Sequence, residues 1–157
     1  MKLNIPKKRI YVDTSVIGGC YDKEFEEWSN KLVDEFIVGT KIVVLSDITI
    51  EELEDAPEKV RNVITRIPKE NIESVFLDYQ GQQLAELYIK EGAITRTYEE
   101  DALHIATATI HQVNVLVSWN FRHIVNIDKI RIYNAVNLKY GYQMLEIRNP
   151  REVLDEN

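Results

Sequence analysis

Four polar residues follow or flank the apolar segments of this chain: Asp13, Glu52, Asp101 and Asn120. Asp13 comes directly after the apolar run 10–12, and Asn120 comes shortly after the apolar run 115–118. In open parallel sheets, ligands bind beyond the carboxyl ends of the strands. Carboxylates that crowd together repel one another unless a cation is bound, and Mg²⁺ and Mn²⁺ prefer such oxygen ligands. These residue types therefore indicate a divalent-metal site that could activate water and stabilise charge on a phosphoryl group.

Each of the four residues also has a purely structural interpretation. Asp13 could cap the helix that follows the first strand. Glu52 could be an exposed helix acid among the other acids of segment 51–55. Asp101 falls in a first helical turn, where acids complement the helix dipole, and Asn120 could be a turn residue. We favour a functional role for Asp101, because it directly precedes an apolar run that would face the sheet.

Three further residues are expected to have supporting or structural roles. His104, one turn after Asp101, is expected to be an outer-shell or helix-surface residue rather than a general base. Glu100 is interpreted as the partner of Thr97 in a capping box that starts the helix. Cys20 is the chain's single cysteine, so it is expected to be a buried filler and no disulfide within the chain is possible.

Hydrophobic periodicity predicts an α/β protein in which strands alternate with helices. Strands are predicted at 10–12, 41–45, 71–77, 115–118 and 144–147. Helices are predicted at 24–38, from 46 or 47 to 53, from 57 to about 64, at 80–90, from 97 to about 113, and from the Trp119–Asn120 turn to about 140. Such alternation indicates a parallel sheet with helices on both faces.

The composition is that of one globular domain, 1–157, with its core at about 9–147 and a short polar tail after 148. A net charge of −7 argues against a non-specific polyanion binder, although metal ions could offset acids at a nucleic-acid site. The three histidines do not form a zinc motif. No apolar stretch approaches the roughly 20 residues of a membrane helix, and no signal peptide is recognisable, so a cytoplasmic protein is expected.

Four segments in order resemble the motifs of PIN-domain nucleases, and are most similar to VapC-type toxins. They are VDTSV around Asp13, SDITIEEL around Glu52, DALHIATA from Asp101, and LVSWN ending at Asn120. The resemblance implies a PIN-like three-layer sandwich, with a five-stranded parallel sheet flanked by helices. It also implies Mg²⁺- or Mn²⁺-dependent cleavage of RNA, a homodimer, and the antitoxin partner of a toxin–antitoxin pair.

In register with the family, Asp13, Glu52 and Asp101 correspond to the core acids that bind metal. Glu52 is chosen over Glu51 because it directly precedes a leucine, as the family's glutamate usually does. Asn120 departs from the commoner aspartate, so a second metal ion would be held more weakly.

The resemblance also assigns supporting roles to two hydroxyl side chains. Ser15 and Ser118 are expected to orient the acids or a metal-bound water. The alternative function is an inactive PIN-fold module that serves in binding or dimerisation. A receiver-like domain is disfavoured, because the second acid and the lysine that it needs are not at the expected positions.

Overall fold

The runs of β-branched residues form five parallel strands within residues 5–155, the part of the chain that the computed structural model describes. The strands are β1 Arg9–Val12, β2 Ile42–Ser46, β3 Ile72–Val75, β4 Val115–Val117 and β5 Ile147–Arg148. Their order in the sheet is β3-β2-β1-β4-β5. The chain thus builds outward from β1 in one direction and then returns to add β4 and β5 on the other side. The predicted fold class is confirmed.

The central position of β1 sets the position of the candidate site. Tyr11 pairs with Val44 on one side and with Leu116 on the other, and Val12 pairs with Val117. The carboxyl ends of β1 and β4 therefore lie side by side, at the point where the strand order reverses. In open α/β sheets this switch point is the usual binding crevice.

Seven α-helices cover the two faces of the sheet within the described residues. They are α1 Thr14–Gly19, α2 Glu26–Val38, α3 Asp47–Glu54, α4 Glu58–Thr65, α5 Tyr79–Lys90, α6 Glu99–Ile110 and α7 Ile127–Lys139. Side chains alternate along β1, so Tyr11 packs into the core formed with α5, α6 and α7, whereas Ile10 and Val12 pack against α1, α2 and α4. Cys20 is buried in the core that Ile10 and Val12 form with α1, α2 and α4, as predicted.

Two predicted helix starts are wrong. The capping box of Thr97 and Glu100 does not form, because Thr97 lies inside a 3₁₀ turn, Arg96–Tyr98, and α6 begins at Glu99 without a side-chain cap. The helix expected directly after Asn120 begins only at Ile127, since Asn120 closes a turn of its own and Asn126 caps α7.

Smaller differences concern the ends of other elements. Helix α6 stops at Ile110 rather than at 113, because Gln112 takes a left-handed conformation with φ of 52°. The last strand is Ile147–Arg148 rather than 144–147. Among residues 5–155, no helix is both long enough and apolar enough to cross a membrane.

Gly19 allows three elements next to the crevice to meet. The Ser29 hydroxyl on α2 donates to the Val16 carbonyl of α1 at 2.7 Å, and it accepts the indole N–H of Trp119 at 2.8 Å. A Cβ atom at Gly19 would lie 2.5 Å from that hydroxyl oxygen and 2.8 Å from the indole nitrogen. The residue at 19 must therefore be glycine for Trp119, after β4, to reach α2.

We predict that Gly19→Ala lowers the free energy of unfolding by about 1–3 kcal/mol, the usual cost of overpacking. Gly18→Ala is the matched control, because a Cβ there meets nothing within 4 Å. That control should be neutral or slightly stabilising, since alanine favours the helix. Urea unfolding of both variants tests this, and equal stabilities would contradict the packing argument.

Candidate active site

Asp13 lies at the carboxyl end of β1, where it is both a helix cap and a buried charge. Its side chain is the N-cap of α1, accepting from the Val16 amide at 3.3 Å, so the structural interpretation is correct. Oδ1 also accepts from the Ser15 hydroxyl at 2.6 Å, and Oδ2 accepts from the Ser118 hydroxyl at 2.5 Å. Only 5% of the residue is exposed. Burial raises the pKa of Asp13 above its ordinary value, although the hydroxyl donors oppose that shift.

The two serines join β1 to β4 through this carboxylate. Ser15 accepts from the Trp119 amide at 2.9 Å while it donates to Asp13. Ser118 accepts from the Asn120 amide at 2.9 Å while it donates to Asp13. Each hydroxyl thus donates its one hydrogen bond to the acid and accepts a hydrogen bond from a backbone amide in the turn after β4. Both serines contact the acid that they were expected to orient.

Glu52, on α3, is held by two donors. Thr14 donates to Oε2 at 2.8 Å, and His104 Nε2 lies 2.6 Å from Oε1. Burial alone would raise the pKa of Glu52, but the hydrogen bond and charge of His104, together with Thr14, lower it. Its neighbour Glu51 is exposed.

His104 lies in the interior, which excludes the helix-surface interpretation and leaves the outer-shell one. It is 3% exposed, and its Nδ1 lies 2.6 Å from the hydroxyl oxygen of Tyr11. Burial would lower the pKa of His104, but Glu52, Asp13 and Asp101 together raise it. Since α6 is buried on most sides, a histidine on this helix needs polar partners in the interior.

Asp101, in the first turn of α6, is electrostatically coupled to the other acids. Partial burial and the negative charges of Asp13 and Glu52 raise its pKa from 3.8 to about 6, against the opposing effects of His104 and the Asn120 amide. Asn120 is also a turn residue, because its Oδ1 accepts from the amide of His123 at 2.9 Å. The structure thus brings all four predicted residues to one edge of the sheet.

The carboxylate oxygens of the site fit a Mg²⁺ or Mn²⁺ ion that keeps part of its water shell, rather than an ion bound by protein ligands alone. Within residues 5–155, no group of three or more His, Cys, Asp or Glu side chains is arranged to hold a metal ion. Asp13 and Glu52 both already accept hydrogen bonds from protein donors. Mg²⁺ usually keeps several waters and binds one or two carboxylates, which Asp13 and Asp101 could supply. Burial raises the pKa of both acids, and like charges also raise that of Asp101, so a cation would stabilise their ionised forms.

Sequence reasoning missed two residues of this site. They are Tyr11, which contacts His104, and Thr14, which contacts Glu52. A tyrosine in a strand that is buried on both faces needs a partner for its hydroxyl, and that requirement is a usable signal. No comparable signal marks Thr14, because its partner Glu52 is 38 residues away.

Comparison with solved structures shows that the chain has the PIN-domain fold of VapC-like proteins. FitAcB from Neisseria gonorrhoeae is similar, with 19% identity, a TM-score of 0.56, and coverage of 90% of this chain and 97% of that one. VapBC2 from Rickettsia felis, bound to a promoter DNA fragment, is 16% identical with a TM-score of 0.55, over 90% and 98% of the two chains.

A third similar structure is FitAB bound to an IR36 DNA fragment, which is 16% identical with a TM-score of 0.58, over 94% and 99% of the two chains. No protein-family model and no curated protein matches the sequence. At these identities the comparisons establish the fold.

The pKa of Asp101 gives a testable pH dependence in metal-free buffer. Because the folded-state pKa is raised from 3.8 to about 6, the folded protein binds more protons in that window and loses stability as pH rises through it. Above pH 6, Asp101→Asn should therefore be more stable than wild type by about 1 kcal/mol, a value reduced for partial solvent screening. Below about pH 4 the difference should vanish.

Asp128→Asn is the matched control for this measurement, because Asp128 is an exposed acid in the first turn of α7. Its removal should slightly lower stability above pH 6 through loss of a favourable dipole interaction. Chemical unfolding between pH 4 and 8 compares the two variants. A pH-independent difference for Asp101→Asn would show that the carboxylate is not destabilised by its neighbours.

Proposed function

We propose that this protein is a metal-dependent endoribonuclease that hydrolyses RNA phosphodiester bonds. The observation that carries the proposal is the electrostatic coupling of Asp101 to Asp13 and Glu52 at the switch point of the sheet. Crowded carboxylates at this edge of the sheet suit a divalent cation, which would stabilise their ionised forms. The choice of RNA rests on the four motifs that resemble PIN-domain nucleases.

In this proposal, Asp13 and Asp101 hold Mg²⁺ or Mn²⁺, directly or through water, and Glu52 contributes as the third acid. When bound, such an ion supplies activated water and stabilises charge on the scissile phosphate. Ser15 and Ser118 fix the Asp13 carboxylate, so that it need not reorganise when the cation enters. Asn120 adds an oxygen or amide contact without charge, which favours one strongly held ion over two.

We further propose that the protein is the toxin of a toxin–antitoxin pair, with an antitoxin protein as its partner. The support is the similarity in fold to FitAcB, VapBC2 and FitAB over at least 90% of the chain. A homodimer stays a prediction from the family resemblance.

A second candidate is a PIN-fold module that binds partners without cleaving RNA. It is favoured by the uncharged Asn120 and by the engagement of both Glu52 oxygens with protein donors. The two candidates differ in whether the protein cleaves RNA when a divalent metal ion is added.

Asp101→Asn should lower the rate of RNA cleavage in Mn²⁺ by roughly 10²-fold or more, the scale for losing one preorganised electrostatic group. RNA affinity without metal should be unchanged or slightly higher, because a charge that repels phosphate is gone. Cleavage of a mixed RNA pool across a metal titration measures the first effect. Wild-type rates for this variant at every metal concentration would support the binding-module alternative instead.

Two further variants sharpen this test. Asp128→Asn removes the same charge from the first turn of another helix and should cleave like wild type. Asn120→Asp adds a carboxylate beside Asp101, so it should lower the metal concentration that gives half-maximal cleavage. If Asp128→Asn lost as much activity as Asp101→Asn, net charge rather than the site would explain the loss.

A further inference from the structure

A buried row of hydrogen bonds leads from the sheet interior to Glu52. The Ser46 hydroxyl lies 2.7 Å from the Tyr11 hydroxyl, which lies 2.6 Å from His104 Nδ1. His104 Nε2 lies 2.6 Å from Glu52 Oε1. Ser46 and Tyr11 are fully buried, and His104 is nearly so. Four side chains from β1, β2, α3 and α6 are thus joined in one line, with only its last member partly exposed.

The far end of this row is anchored by backbone. Thr49 donates its hydroxyl proton to the Val12 carbonyl at 3.1 Å, and its amide donates to Ser46 Oγ at 3.2 Å. The Thr49 hydroxyl can therefore only accept from Ser46, whose oxygen is 3.4 Å away. With Glu52 ionised, these fixed contacts leave two complete proton arrangements for the rest of the row.

In the first arrangement, Ser46 donates to Tyr11, Tyr11 donates to Nδ1 of a neutral His104, and Nε2–H donates to Glu52. In the second, a cationic His104 donates from Nδ1 to Tyr11, Tyr11 donates to Ser46, and Ser46 donates to Thr49. Nε2–H again donates to Glu52. Every buried polar atom of the row is satisfied in both arrangements, and the contact with Glu52 is the same in both.

Glu52 needs such support more than the other acids do. Its side chain is long and partly exposed, and the negative charge of Asp101 lies close enough to repel it. Thr14 fixes one oxygen and His104 fixes the other, so the plane of the carboxylate is defined. Each oxygen keeps a second lone pair for water or a cation.

We infer that His104 is a positioning residue that holds Glu52 in the geometry for the site, and that Tyr11 in turn fixes the ring of His104. This inference rests on the proposed function. It does not require either residue to touch the metal or the RNA. Outer partners of this kind typically change metal affinity or activity by 10–100-fold when they are removed.

The test compares three site variants with one control by calorimetric titration of Mn²⁺ and by RNA cleavage. His104→Leu keeps much of the volume and removes the donor, so Mn²⁺ affinity should fall about 10–100-fold. His104→Gln restores an N–H donor near the Nε2 position and should recover most of that loss. Tyr11→Phe removes only the hydroxyl and should weaken Mn²⁺ binding by a smaller factor, about threefold to tenfold.

Tyr88→Phe is the matched control for Tyr11→Phe. Tyr88 is also fully buried, but its hydroxyl donates to Asn137 at 2.5 Å, outside the site. The control should bind Mn²⁺ like wild type, even if it is less stable. An equal loss in Tyr88→Phe and Tyr11→Phe, or wild-type affinity in His104→Leu, would overturn the inference.

Crystal structures of the metal-free variants separate this inference from the proposed function. Glu52 should keep its rotamer in wild type and His104→Gln, and should turn away from Asp13 and Asp101 in His104→Leu. If His104→Leu does not fold, the comparison of Tyr11→Phe with His104→Gln decides the matter. A wild-type protein that neither binds Mn²⁺ nor cleaves RNA would remove the proposed function, whereas an unmoved Glu52 in the variants would remove the positioning role.

Discussion

A buried carboxylate at the end of the central strand is the constraint on which the rest of the structure depends. Leaving Asp13 charged and without donors in the interior would cost several kcal/mol. Its donors come from α1 and from the end of β4, which are separated by about a hundred residues of sequence. The pairing of β1 with β4 therefore supplies donors to Asp13, and the hydrogen bonds of Asp13 in turn hold the ends of β1 and β4 together.

The charges around Asp13 are only partly compensated. His104 lowers the pKa of Glu52, but burial still raises the pKa of Asp13, and burial together with the charges of Asp13 and Glu52 raises that of Asp101. An acidic centre in a protein of net charge −7 repels a polyanion. For an RNA substrate, a bound divalent cation would reverse the local sign of the field. The proposed metal therefore serves binding as well as chemistry.

The fold was predictable because its strongest signals are local. Short apolar runs that alternate with amphipathic segments specify a parallel sheet, and acids at the ends of those runs must then lie at one edge. The start of α6 was not predictable in this way. Arg96, beside Thr97, forms an ion pair with Glu86 on α5, and residues 96–98 adopt a 3₁₀ turn in place of a capping box. The sequence also did not decide whether His104 lies in the interior or on the helix surface, because α6 is apolar or small on almost every side and periodicity does not define its inner face.

Two spacings in different elements explain why the site assembles as it does. Asp13 follows β1 in an extended conformation, two residues after Tyr11, so the two side chains share one face at a separation of about 6.6 Å along the strand direction. In α6, Asp101 and His104 are three residues apart, so they also share one face, about 4.5 Å apart along the helix.

Where α6 packs against β1, the two polar faces lie against each other. His104 meets Tyr11 edge-on, with ring centroids 5.7 Å apart, while Asp101 is coupled to Asp13. The acids lie toward the crevice, and the hydroxyl–imidazole pair lies behind them in the core. Neither spacing alone specifies this arrangement. It follows from the packing of α6 against β1, and the contact that buries His104 against Tyr11 also places His104 next to Glu52.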